Sequence, residues 1–227
     1  MPKIDEYELE ILDAYDKDNL TSVVTKADAA TFPMQLRDFS TSDGRQYACY
    51  SSSSNGRYTI AWRDSDGKGR GGARESGKGT YWLFDGSLEI AKGRVERPNG
   101  GLVADDGTFT LEDWLFSQEL ASVYYVFDVK GDVRVRKRFR ANLYNSALSA
   151  CGRYAVCLTA FAPTSTHSNS LFLFALPAGS LVWRQSAPFA PGAYEFRVSE
   201  ELLVLTPGRG QEHHQYISCS LSLQPRE

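Results

Sequence analysis

Ser54-Asn55-Gly56-Arg57-Tyr58, Asp105-Asp106-Gly107-Thr108-Phe109 and Ala150-Cys151-Gly152-Arg153-Tyr154 are three versions of one short phrase. Each is a polar turn closed by glycine, with an aromatic ring two residues on. The glycines stand 51 and 45 residues apart. A second landmark follows each turn, an aromatic-rich run that ends in another glycine. The three runs are Tyr81-Trp82-Leu83-Phe84-Asp85-Gly86, Tyr125-Val126-Phe127-Asp128-Val129-Lys130-Gly131 and Phe172-Leu173-Phe174-Ala175-Leu176-Pro177-Ala178-Gly179. These glycines are 45 and 48 residues apart. Two landmarks that keep the same spacing mark an internal repeat of about 45 residues.

Period-two alternation between the landmarks predicts four strands per unit. Unit one uses residues 47–51, 58–62, 80–84 and 87–92. Unit two uses 101–104, 108–114, 123–128 and 132–138. Unit three uses 147–150, 154–161, 170–176 and 180–185. Unit four has 194–198, 202–206 and 215–221 and then runs out of chain, so the segment Met34–Phe39 is expected to supply its outer strand. Four-stranded units of this length resemble β-propeller blades. The Gly-His and Trp-Asp signatures of WD repeats are absent, and the Gly-Arg-Tyr turns are closer to generic bacterial blades related to quinoprotein and surface-layer repeats. The resemblance implies an all-β fold, a small propeller-like array of about four four-stranded antiparallel sheets over 34–227, with a sandwich or barrel as the alternative.

Ahead of that array, residues 1–33 form an acidic segment. Residues 1–30 carry eight acids and three lysines, a net −5 in a chain whose total is −3. Ile4, Tyr7, Ile11 and Tyr15 recur at helical spacing, which predicts a helix over 5–18, and a second short helix is expected near 26–31, ended by Phe32-Pro33. The segment is expected to pack as a helix against the main domain; the stretch 6–23 is also loosely similar to the opening of small bacterial antitoxins, which would make it a partner-binding arm instead. No apolar run is long enough to cross a membrane as a helix, and the acidic start lacks a secretion signal, so a cytoplasmic protein is expected. Cys49, Cys151, Cys157 and Cys219 form no C-x-x-C pair, which removes support for zinc or thioredoxin-like chemistry.

In a propeller, the loops between second and third strands open on the same face as the connections between blades. Here these loops are long, covering 64–79, 116–122, 163–169 and 207–214, whereas the turns at Asp85-Gly86 and Lys130-Gly131 are tight. Loops on a rigid scaffold are the usual place for recognition. All three histidines, His167, His213 and His214, lie in them. A protein- or peptide-binding rim is therefore expected from Arg74, Tyr144, His167, Tyr194 and His213. Convergence of His167 and His213 would instead suit a metal-assisted hydrolase.

A separate signal lies at 130–140, where six basic groups accompany one acid. Alternation places Arg134, Arg136, Arg138 and Arg140 on one face, with Val133, Val135 and Phe139 opposite. The row suits edge protection or docking of an acidic partner. Nucleic acid is disfavoured, because it needs a wider basic field with stacking aromatics. Gly72 to Gly79 nearly matches a phosphate loop, but a strand rather than a helix follows it. No catalytic constellation emerges, and no cofactor is implied. Asp105 and Asp106 could face a central channel and bind calcium, though acids at turns more simply support tight geometry. The expected role is binding without chemistry, as a scaffold or regulatory protein.

Overall fold

Strands such as Tyr154–Thr159 (YAVCLT) and Ser170–Ala175 (SLFLFA) are buried along almost their whole length. With no polar face, a sheet built from them must be covered on both sides. The computed structural model, which describes residues 27–28, 35–65, 77–115, 120–187, 189–197, 202–207 and 215–218, meets that demand by stacking antiparallel sheets in chain order. Among the described residues there is no helix.

The first sheet contains β2 (Leu36–Thr41), β3 (Gly44–Ser52), β4 (Tyr58–Arg63), β5 (Gly79–Asp85) and β6 (Leu88–Val95), in that order. The second contains β7 (Pro98–Val103), β8 (Phe109–Trp114), β9 (Ser122–Phe127) and β10 (Val133–Phe139). The third contains β11 (Leu143–Leu148), β12 (Tyr154–Thr159), β13 (Ser170–Ala175) and β14 (Ser180–Ser186). The fourth contains β15 (Pro191–Arg197), β16 (Leu202–Pro207) and β17 (Gln215–Ser218), with β1 (Ala27–Asp28) on the free side of β15. The result is an all-β, propeller-like array of four sheets.

Three cores join neighbouring sheets. Ile60, Trp62 and Leu83 of the first sheet meet Phe109, Leu111 and Phe127 of the second. Tyr124, Val126 and Phe139 of the second meet Ala155, Cys157 and Phe172 of the third. Val156, Leu158 and Leu173 of the third meet Tyr194, Phe196 and Leu205 of the fourth. Each buried ring or branched aliphatic contributes roughly 1.5–3 kcal/mol. The other face of the first sheet carries a further buried set around Phe39, Trp82 and Phe84.

The turns interlock as well. Gly56, Gly107 and Gly152 each close the connection between the first and second strands of their unit, with φ of 73°, 84° and 69°. Across the sheets, the Asn55 amide donates to the Asp105 carboxylate at 2.8 Å, and the Asp105 amide donates to the Ala150 carbonyl at 2.7 Å. Asp106 accepts from the Thr108 amide at 2.8 Å. The two acids considered as calcium ligands thus hold turns together. Gly86, Gly131 and Gly179 occupy the corresponding turn before the last strand, again at positive φ. A Cβ on Gly179 would stand 2.5 Å from the Arg134 carbonyl oxygen of the preceding sheet.

Several expectations need correction. The segment near 34–39 does not complete the fourth sheet, because Leu36 to Thr41 pair with Cys49 to Gly44 and make the first sheet five-stranded. The fourth sheet instead gains β1 at its opposite edge, where Ala27 pairs with Tyr194 and Asp28 with Ala193. That pairing also puts strand where a helix near 26–31 was expected. The helix expected over 5–18 lies outside the described residues.

Gly86 and Gly179 share a backbone conformation, but no atom stands within 4 Å of a Cβ on Gly86. Gly86→Ala is expected to cost about 1–2 kcal/mol from the left-handed backbone alone. Gly179→Ala is expected to cost more, because a neighbouring sheet must also move. Urea denaturation midpoints check this. Equal losses would mean that the turns do not interlock.

Candidate functional site

β10 is the last strand of the second sheet, so one side of its backbone is unpaired. A bulge between Val133 and Val135 resets its alternation. Val135 and Phe139 then turn inward, toward the third sheet, while Arg136, Arg138 and Arg140 are exposed. Val133 does not join the buried side as expected and is 52% exposed. Arg134, the bulged residue, leaves the row to pair with Asp128 at 2.7 Å. Partial desolvation works to raise the Asp128 pKa, but the Asp132 and Lys130 amides, which donate to this carboxylate, together with the Arg134 guanidinium outweigh it and lower the value.

The other cations of this stretch, on both faces, are uncompensated. Ion pairs elsewhere engage Arg45, Arg57, Lys78, Lys92 and Arg197. Among the described residues, Arg136, Lys137, Arg138 and Arg140 have no carboxylate partner. Arg136 instead reaches the Tyr125 hydroxyl at 3.4 Å, its guanidinium carbon 5.8 Å from the ring centroid. Such contacts orient a cation without neutralising it.

The row continues around the end of the strand. The Arg140 amide donates to His167 Nδ1 at 3.1 Å. His167 sits in the loop between β12 and β13, half-buried, its ring edge-on to Phe139 and Phe172 at centroid distances of 5.6 and 5.8 Å. Its backbone is tied down as well. The His167 amide donates to Ser165 Oγ at 3.0 Å, and its carbonyl accepts from the Thr159 hydroxyl. Desolvation lowers the His167 pKa, and the charges of Arg184, Lys137 and Arg140 lower it further. With Nδ1 accepting, the neutral ring carries its proton on Nε2.

The structure thus brings together two groups that the sequence left separate, the basic strand and His167. Other rim residues fare differently. Tyr194 is fully buried and cannot contact a partner. It belongs to the fourth sheet's inward-facing set, and its hydroxyl donates to Asn145 Oδ1 at 2.5 Å. Tyr144 occupies a bulge between Leu143 and Asn145 and is 54% exposed. Arg74, His213 and His214 lie outside the described residues. Among the described residues, no three His, Cys, Asp or Glu side chains gather as a metal site would need.

Lys137 and Arg184 were not singled out by sequence, although a signal for Arg184 exists. When the last strands are aligned on their bulges, Lys92, Arg136 and Arg184 occupy one position, paired with Trp82, Tyr125 and Phe172. A cation opposite an aromatic thus recurs in three sheets.

No family model and no curated protein matches the sequence. Among solved structures, the chain is similar to Kuenenia stuttgartiensis hydrazine synthase, at 10% identity over 86% of this chain and 67% of that one, with a TM-score of 0.49. It is similar to the WD40 domain of Toxoplasma gondii coronin, at 10% identity over 70% and 42%, TM-score 0.43. It is also similar to BamB from Moraxella catarrhalis, at 10% identity over 87% and 62%, TM-score 0.40. The chain spans less than half the length of the coronin chain and under two thirds of the BamB chain. The propeller-like description stands on the sheet order and the shared cores.

The surroundings of His167 can be tested by titration. Its imidazole is expected to titrate below 6.5 in the folded protein, and Arg184→Gln to raise that value. Since the unfolded chain takes up this proton more readily, the neutral ring contributes stability above pH 6.5 that is lost as pH falls through the folded pKa. NMR of the ring protons against pH checks both statements. A titration at the ordinary value, unmoved by Arg184→Gln, would contradict them.

Proposed function

We propose that this chain is a non-catalytic, propeller-like scaffold that holds an acidic peptide segment of a partner protein along the cationic row of β10. The observation that carries the reading is the exposed set Arg136, Arg138 and Arg140, which has no carboxylate partner among the described residues. Like charges at alternate positions of one strand repel, and a surface that keeps them aligned favours a ligand of opposite sign. An extended peptide suits the geometry, because β10 also offers the free hydrogen-bonding side of an edge strand.

The packing supports the scaffold role. The row stands on a strand whose other face is anchored by Val135 and Phe139 in the core, so its spacing is fixed before a partner arrives. Such preorganisation lowers the entropic cost of binding. A cytoplasmic setting belongs to the same proposal, in keeping with the unbridged thiols of Cys151 and Cys157.

Fluorescence anisotropy with a labelled peptide rich in Asp and Glu tests the proposal. Binding is expected to weaken as salt rises. The double substitution Arg136→Glu, Arg138→Glu is expected to lower affinity about 10-fold or more, the effect of losing more than about 1.4 kcal/mol. Circular dichroism should show the fold retained, since both side chains are exposed. Binding unaffected by the double substitution would refute the role of the row.

A further inference from the structure

We propose that the corner between the second and third sheets, formed by Lys137, Arg140, His167 and Arg184, receives a phosphate monoester dianion carried on the bound peptide. The inference rests on the peptide reading above for what carries the phosphate. The corner lies at and beyond the end of β10, with Lys137 on the face opposite Arg136 and Arg138, and Arg140 is the one residue it shares with the row.

Its position follows from strand alternation. Lys137 lies between Val135 and Phe139 and shares their face, toward the third sheet. Arg184 on β14 is paired with Phe172, which packs on Phe139 at a centroid distance of 4.7 Å. Cations from two sheets therefore stand over one seam. His167 closes its end, touching the rings of both Phe139 and Phe172.

The side chains are held ready for an anion. Arg184 Nη2 donates to the Thr166 carbonyl and contacts Ser170 Oγ at 3.4 Å, and its guanidinium carbon lies 5.4 Å from the Phe172 centroid. This leaves the other edge of a planar, preorganised donor group for a ligand. The Arg140 amide fixes the imidazole through Nδ1, so Nε2–H is the second kind of donor present. Lys137, Arg140 and Arg184 surround the ring with positive charge. None of the three has a carboxylate partner among the described residues. Arg140 and Arg184 are exposed and reachable.

The chemistry selects the ligand. Three cations and a neutral N–H suit a group with two negative charges and three acceptor oxygens, which is a phosphate monoester. A single carboxylate would leave two cations uncompensated. A nucleic-acid backbone is the poorer match, because the nearby rings of Phe139 and Phe172 are buried and offer no face for base stacking.

The test is an NMR titration of the full chain, observing the His167 ring and the Arg184 Nε–H. The probes are inorganic phosphate and an acidic peptide with one central serine, unmodified or phosphorylated. Phosphate alone is expected to shift both signals saturably. The phosphorylated peptide is expected to bind about 10-fold or more tightly than the unmodified one, as one added charge-assisted hydrogen bond provides. Lys137→Gln with Arg184→Gln should abolish that gain and leave the unmodified peptide's affinity unchanged, and Lys137→Gln alone should reduce the gain. If the unmodified peptide fails to bind but phosphate still moves both signals, the corner stands and the row's role falls. Equal affinity for the two peptides, or no saturable shift with phosphate, would overturn the proposal. So would a single-stranded oligonucleotide that displaces the phosphorylated peptide from the same signals.

Discussion

A sheet that is apolar on both faces is unstable alone, and this constraint governs the molecule. β12 and β13 bury nearly every side chain, so the third sheet must have a neighbour on each side. The second sheet supplies Tyr124, Val126 and Phe139 against one face, and the fourth supplies Tyr194, Phe196 and Leu205 against the other. Turn contacts add direction to this non-directional force. The Asp105 carboxylate and amide reach turns on either side, and Gly179 admits the Arg134 carbonyl at a distance that a Cβ would not tolerate.

The candidate site is a product of that stacking. Polar side chains gather where the last strands emerge from the cores, because there one face is buried and the other is wet. β10 shows both states within a few residues: Val135 and Phe139 inside, Arg136 and Arg138 outside. His167 reaches the same neighbourhood because its ring packs on Phe139 and Phe172, one from each sheet. A single aromatic seam therefore fixes the spacing of cations that belong to different sheets.

Much of the fold could be read from the sequence, since turn chemistry and alternation are local. The glycines of both turn types fall in corresponding places in three sheets, and most strand boundaries lie within a residue or two of the reading. The first strands were read too short. β7, β11 and β15 each carry a bulge near their start, at Pro98/Gly100, Leu143/Asn145 and Pro191/Ala193. A bulge inserts one residue and breaks the alternation on which such reading depends. For the same reason Tyr194 was placed at a strand start on the rim, although its strand begins three residues earlier and turns it into the core. The site was half legible. The basic strand is a local pattern, but the contact between Arg140 and His167 joins residues 27 apart and depends on how two sheets pack. The strand near 34–39 was expected but in the wrong sheet, and the strand at 27–28 was missed, because pairing partners of short polar strands are set by tertiary geometry.

The seam between the second and third sheets is the central claim, and a double-mutant cycle on Phe139→Leu and Phe172→Leu measures it directly. The rings lie 4.7 Å apart at an interplanar angle of 54°. A coupling of about 0.5–1.5 kcal/mol in unfolding free energy is expected for such a pair. Losses that simply add, to within about 0.3 kcal/mol, would show that the two sheets do not meet there, and the cationic corner would have no framework.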